Sequence, residues 1–248
     1  MAAGAPPLAS RSMTQSVLPY KWSCGCGHVQ LELTGEPFLH AHCFCDDCRA
    51  RLKVACSKEK EAGKFNKLTI EGGLNNAAWW GSQCQVVKGK DKLNFFRAAL
   101  HEGGRSANDT TRTITGVTTC CGTLAYYVPP SPGFVHVYLG SNGERLLPAC
   151  GSWLCAPAFR PVDVKMMTSY CASSGIATPP KGHPLIPLGL ACKYLAASMI
   201  PGSPGRGDAA HVQPAMVGAK TYCGKPIEYV DADKIAELVL PKPKISPW

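Results

Sequence analysis

This sequence predicts a mainly β, turn-rich fold, and three observations carry that reading. Apolar and polar residues alternate in short runs: Val29, Leu31 and Leu33 interleave with Gln30, Glu32 and Thr34, the period of a half-buried strand. Glycine and proline are frequent, at 25 and 21 of 248 residues, which cuts the chain into short elements and leaves little room for long helices. Several of the 14 cysteines fall in tight groups beside the alternating runs, where turns are expected.

Taken in order, residues 1–19 read as a disordered tail, with a weaker likeness to an organellar targeting segment. Val29 to Thr34 is a strand entered through Cys24 and Cys26. FLHAHC is a second extended segment that runs into a cysteine-rich turn, with a helical turn over Arg49 to Val54. Residues 57–67 are polar and read as an exposed loop. Leu68 to Glu71, Cys84 to Lys88 and LNFFRA read as strands. Residues 101–112 have loop composition and lead into two β-rich runs, TITGVTTCCGTLAYYV and GFVHVYLG. Short extended pieces follow over 160–190, punctuated by prolines. These give a domain over 20–190, followed by a C-terminal extension over 191–248 with CKYLAASMI and DADKIAELVL as candidate short helices.

Composition excludes several classes. Apolar residues make up 45% and charged residues 17%, the balance of a globular chain and not of a disordered one. No run approaches the ~18 apolar residues of a membrane span. The formal charge of +9 is scattered, and its densest stretch, Lys53 to Lys67, is interrupted by Glu59 and Glu61. It reads as a solvated face, so neither a nucleic acid nor a membrane is the expected partner. Nothing at the N-terminus reads as a secretory signal, so reduced thiols and a cytoplasmic setting are expected.

In such a setting clustered cysteines point to metal or catalysis. Three groups stand out: Cys24 and Cys26, then Cys43, Cys45 and Cys48 as C-x-C-x-x-C, then Cys120 with Cys121. Thiolates held together repel unless a cation neutralises them, and zinc does so by taking cysteine sulfur at about 2.3 Å in a tetrahedron. One or two zinc ions are expected. Cys43, Cys45 and Cys48 supply three ligands with no fourth beside them, the signature of an open, substrate-accepting site. The competing reading is a closed site completed by His40, His42 or Cys56. For Cys24 and Cys26 the closed reading is favoured, completed by cysteines from the later strand.

The runs SCGCGHVQLEL, HCFCDDCR and TTCCGTLAYY resemble the glutathione-dependent formaldehyde-activating enzyme family, which includes centromere protein V. The resemblance implies small rolled antiparallel sheets around cysteine–zinc sites. It assigns Cys24 and Cys26 to a structural zinc, and Cys43, Cys45 and Cys48 to the zinc where a thiol substrate is handled. The family's late C-x-x-C-G pair falls here on Thr118 and Cys121. Because a threonine hydroxyl is a poor zinc ligand beside thiolate, Cys120 is the expected fourth ligand. Adjacent side chains diverge on a strand, so Cys120 and Cys121 can share an ion only if the backbone turns sharply, as Gly122 permits.

Arg49, directly after Cys48, is placed to offset thiolate charge or hold an anionic substrate. His28, His40 and His42 are expected to satisfy local hydrogen bonds, and Asp46 and Asp47 to accept backbone N–H groups, with proton transfer as the alternative role. Trp79 and Trp80 read as core, and Cys150, Cys155, Cys171, Cys192 and Cys223 as buried inert thiols. The functional expectation is a zinc-dependent carbon–sulfur lyase-type enzyme acting on an adduct of glutathione or another small thiol. The alternatives are a noncatalytic zinc module that binds a protein or nucleic-acid partner, and an isomerase or lyase using the same site on another substrate. Because metal binding of this kind is coupled to folding, a strong chelator is expected to strip the metal and reduce β structure. Circular dichroism and melting curves unchanged by chelation would contradict it.

Overall fold

The computed structural model describes residues 20–61, 63–99, 113–129, 133–148, 162–171, 177–192 and 218–235. The chain is mainly β, as its alternating runs predict. Its described elements include fourteen strands, the helix α1 (Asp46–Ser57) and three short 3-10 helices, and residues 188–192 are also helical, so the expected helix over CKYLAASMI is entered from upstream. A four-stranded antiparallel sheet has the order β10-β1-β2-β5 and consists of β1 (Tyr20–Ser23), β2 (Gln30–Leu33), β5 (Cys84–Lys88) and β10 (Leu146–Pro148). The larger sheet has the order β12-β11-β3-β4-β9-β8-β7-β6-β14-β13. Its centre is antiparallel and comprises β3 (Leu39–Cys43), β4 (Leu74–Trp80), β6 (Leu93–Ala99), β7 (Ile114–Thr118), β8 (Leu124–Val128) and β9 (Phe134–Tyr138). Towards its margins β11 (Val164–Met166) joins β3 in parallel and β12 (Gly182–His183) joins β11 in parallel. On the other side β14 (Lys225–Asp231) runs parallel to β6 and pairs with β13 (Thr221–Tyr222).

The period-two alternation sends neighbouring residues to two different cores. Trp22, Leu31 and Leu33 of the small sheet pack with Ala77, Trp79, Phe95, Tyr126 and Val137 on one face of the large one. The opposite face, built from Leu39, Ala41, Leu74, Ala78, Phe96 and Tyr127, receives Ala50, Leu52, Val54 and Ala55 of α1. The large sheet is therefore covered by the small sheet on one side and by the helix on the other.

The helix starts earlier than the sequence suggested and runs longer than one turn. Cys45 is its N-cap, with Sγ accepting the Cys48 N–H at 3.4 Å, and Asp46 and Asp47 occupy the first turn, where acidic groups suit the helix dipole. It closes where the Lys58 N–H reaches the Ala55 and Cys56 carbonyls.

Other expectations also shift. Leu68 to Glu71 is a turn, and the strand lies further on, at β4. Within residues 57–67 the Glu59 carboxylate accepts the Lys64 and Asn66 N–H groups at 2.8 and 2.7 Å, and Asn66 is buried, so the segment is ordered by its own hydrogen bonds. Of DADKIAELVL, Asp231 ends a strand, residues 232–235 are bends, and residues 236–240 lie outside the described residues. The expectations for residues 1–19, 101–112 and 193–200, and for Cys150 and Cys155, lie outside the described residues. Among the described residues no helix is long and apolar enough to cross a membrane.

Leu52 is fully buried between α1 and the sheet. Leu52→Ala is expected to cost about 2–5 kcal/mol, the usual range for emptying such a site. Denaturant titration with an unchanged midpoint would show that α1 is not docked as described.

Candidate metal centre

Two groups of sulfur emerge from this framework, one in each core. The first gathers Cys24, Cys26, Cys120 and Cys121, whose Sγ atoms all lie within 4.8 Å of one another. Cys24 and Cys26 sit on the turn between β1 and β2. Cys120 and Cys121 sit on the turn between β7 and β8. The backbone does turn sharply there: the Gly122 N–H bonds back to the Thr118 carbonyl at 2.8 Å, and Gly122 has φ +73. A Cβ at Gly122 would lie 2.6 Å from the Glu59 backbone nitrogen, so the position tolerates only glycine. Asn66 clamps the same turn, donating to the Gly122 carbonyl at 2.8 Å and accepting the Leu124 N–H at 2.7 Å.

The second group is Cys43, Cys45 and Cys48, again within 4.8 Å. Cys43 ends β3, Cys45 caps α1 and Cys48 lies in its first turn. The strand-to-helix junction thus aims three sulfurs at one point. Among the described residues no fourth histidine, cysteine or carboxylate joins them. The three residues expected to complete the site in the competing closed reading each face another group. His40 Nε2 lies 2.8 Å from Asn75 Oδ1, His42 faces Glu71 at 3.6 Å, and Cys56 reaches the Asn66 carbonyl at 3.5 Å.

The distances suit a metal. Sulfurs on a tetrahedral zinc, each about 2.3 Å away, stand about 3.8 Å apart. Here Cys24–Cys26 is 3.6 Å, Cys24–Cys120 3.9 Å, Cys120–Cys121 4.0 Å and Cys43–Cys45 3.3 Å. All seven cysteines are free thiols. In each group one sulfur is drawn towards thiolate by its neighbours. Hydrogen bonds from Cys43 and Cys45, helped by Arg51, hold Cys48 well below the ordinary thiol range. Cys121 is pulled down to about 3 by hydrogen bonds from Cys24, Thr118 and Thr123. Two others hold their protons more tightly: Cys43 is raised by its bonds to Cys45 and Cys48, and Cys120 rises to about 11, mainly through burial. A divalent cation would take the place of those shared protons.

Thr118 remains beside the first group, with its hydroxyl 3.3 Å from Cys121 Sγ while accepting the Thr123 N–H at 3.0 Å. His28 Nδ1 lies 3.1 Å from Cys26 Sγ. Arg49 stands 3.9 Å from Asp46, and its Nε and Nη1 are buried without a hydrogen-bond partner. Trp79 is fully buried, as expected of core, whereas Cys192 and Cys223 are exposed.

Sequence reasoning missed two neighbours of the three-cysteine group. Arg51 Nη1 donates to Cys48 Sγ at 3.3 Å, and its guanidinium lies over the Tyr127 ring, 4.6 Å from the centroid. The ring of His136 stacks on Tyr127 at 4.6 Å, and His136 Nδ1 lies 3.0 Å from Asn76 Oδ1. Burial, with Arg51 adding to it, pushes His136 down to about 3, so this imidazole is neutral at ordinary pH. Arg51 could have been found from its i,i+3 spacing to Cys48, had the helix been taken to begin at Asp46. Tyr127 carries no such signal. A separate cavity of about 420 Å³, lined by Val86, Leu93, Phe95 and Tyr126, has no sulfur of either group in its walls.

A sequence profile described as glutathione-dependent formaldehyde-activating enzyme matches residues 19–145, a span that contains both sulfur groups. The chain belongs to this family. Among solved structures, a Rhodobacter sphaeroides protein is similar at 18% identity, covering 48% of this chain and 84% of that one with a TM-score of 0.31. No curated protein matches significantly. Members of the family act on glutathione adducts, and the cysteine groups found here could hold a metal ion.

In the first group, Cys120→Ser and Cys121→Ser are each expected to lower bound metal, whereas Thr118→Cys should not raise it above the parent. Measuring metal per chain decides this. Full retention in Cys120→Ser, with loss in Cys121→Ser, would make Cys120 a bystander.

Proposed function

We propose that the protein is a zinc-dependent carbon–sulfur lyase-type enzyme acting on an adduct of glutathione or another small thiol. Zinc held by Cys24, Cys26, Cys120 and Cys121 would be structural, and zinc held by Cys43, Cys45 and Cys48 would be the working centre. The observation that carries this reading is the three-sulfur group with no fourth protein ligand among the described residues, in a chain of this family. A closed site holds four ligands, and a catalytic one leaves room for substrate.

Zinc bound by the three cysteines would supply a Lewis acid for a substrate sulfur or carbonyl oxygen. The chain's own residues do the rest. Cys43 and Cys48 are almost fully buried at the β3–α1 junction, which limits water around the reacting atoms and strengthens electrostatic interactions there. Arg49, whose buried Nε and Nη1 make no hydrogen bond, suits the carboxylate of a thiol such as glutathione and would orient it through charge-assisted hydrogen bonds. The addition forms a bond between thiol sulfur and carbonyl carbon, and the proton lost by the thiol ends on the new hydroxyl. Cleavage of the adduct is the reverse.

The experiment is a titration of the cobalt-substituted protein with glutathione, cysteine and a non-thiol analogue. The two thiols are expected to change the visible spectrum at millimolar concentrations or below, because a sulfur entering the coordination shell alters the ligand field, and the analogue is not. Arg49→Gln should weaken glutathione more than a thiol lacking carboxylates. Silence with both thiols removes the reading and leaves a noncatalytic zinc module in its place.

A further inference from the structure

The two sulfur groups differ in what surrounds them. The four-cysteine group accepts a hydrogen bond from the neutral Val29 N–H to Cys24 at 3.2 Å, has the Thr118 and Thr123 hydroxyls beside Cys121 at 3.3 and 3.0 Å, and has the solvent-exposed His28 ring 3.1 Å from Cys26, with no buried charged side chain among these contacts. The three-cysteine group has instead a cation, with Arg51 Nη1 3.3 Å from Cys48 Sγ. Arg51 is only 4% exposed. A guanidinium that deep is costly unless it meets a counter-charge. Its carboxylate neighbour, Asp47, stands 3.9 Å away and is one-third exposed, too far for a hydrogen bond and partly screened by water. Arg51 Nε is also buried, without a hydrogen-bond partner. The charge that answers Arg51 is therefore that of the sulfurs.

The consequence follows from counting charges. Three thiolates and one divalent cation sum to minus one. A fourth ligand that is itself a thiolate would take the centre to minus two within a buried site. With Arg51 in contact the same centre begins at zero and ends at minus one. A neutral fourth ligand gains nothing comparable. Tyr127, whose ring lies under the guanidinium at 4.6 Å, holds the cation in place by a cation–π contact.

We propose that Arg51 is a specificity-determining positioning residue, whose buried charge makes the Cys43, Cys45 and Cys48 centre select an anionic sulfur over a neutral ligand. This rests on the thiol reading of that centre given above. It assigns to the second arginine of the helix a task different from that of Arg49: Arg49 meets the substrate's carboxylate, and Arg51 acts through Cys48 on the charge of the centre.

The test uses the full-length chain loaded with cobalt, with glutathione as the anionic probe and imidazole as the neutral one, both followed by visible absorption. The wild type is expected to bind glutathione at least about tenfold more tightly than imidazole. Arg51→Met, which keeps much of the volume and removes the charge, is expected to weaken glutathione by at least about tenfold while moving imidazole less than about threefold, as loss of one close buried charge implies. Arg51→Lys should restore most of the glutathione affinity. A merely structural role would shift both probes alike in Arg51→Met, and that result, or an unchanged glutathione affinity, overturns the proposal. If Arg51→Met does not take up cobalt, the wild type decides alone: imidazole bound as tightly as glutathione overturns it, and the tenfold preference supports it. A wild-type centre silent to thiols removes the thiol reading and this proposal with it. A responsive wild type with an equally responsive Arg51→Met removes only the role of Arg51.

Discussion

Thiolates at van der Waals distance repel, and this constraint governs the two places where the molecule crowds its sulfurs. Four sulfurs in one group and three in the other lie within 4.8 Å of their partners, a density that a reduced, metal-free chain meets only by sharing protons. The turns that carry these sulfurs are built by elements distant in sequence. Cys24 and Cys26 depend on the β1–β2 turn, and Cys120 and Cys121 on the β7–β8 turn, which Asn66 and Gly122 fix against the segment after α1. A cation held by the first group would tie the small sheet to the large one, because metal binding of this kind is coupled to folding.

The second group is positioned by a different device. A strand ends, a residue caps, and a helix begins, all within Cys43 to Cys48. The cap is itself a candidate ligand, since Cys45 Sγ accepts the Cys48 N–H at 3.4 Å. Helix N-termini favour negative charge, so the dipole of α1 works in the same direction as Arg51. Both act on one sulfur group, whereas the other has backbone and hydroxyl donors and the exposed ring of His28 beside it.

The buried polar chain beneath α1 extends the same logic. Cys48, Arg51, Tyr127, His136 and Asn76 touch in succession across the helix–sheet interface. His136 is kept neutral by burial and by the nearby guanidinium, so the one positive charge in this network is that of Arg51. A core of hydrocarbon alone would pack as well. It would not answer the charge of the sulfur.

Local pattern was enough for the strands at β2, β5 and β6, for the β-rich runs after residue 113, for the three cysteine groups, and for the sharp turn at Gly122, because period and turn chemistry are written in neighbouring residues. The span of α1 was not legible: its propensities compete with the cysteine turn, and what commits the segment to helix is the docking of Leu52, Val54 and Ala55 on the sheet. Leu68 to Glu71 failed as a strand for the reverse reason, since its apolar residues are spent on a turn and Ile70 is exposed. The choice of fourth partner for Cys24 and Cys26 could be narrowed from sequence but needed the meeting of two distant turns to be made. Arg51, Tyr127 and His136 come from two strands and a helix, and no spacing rule links them. The sequence alone determined which cysteines stand close together along the chain; only the tertiary structure decided which sulfurs meet and which buried charge stands beside them, because electrostatics depends on distance through space and not along the chain.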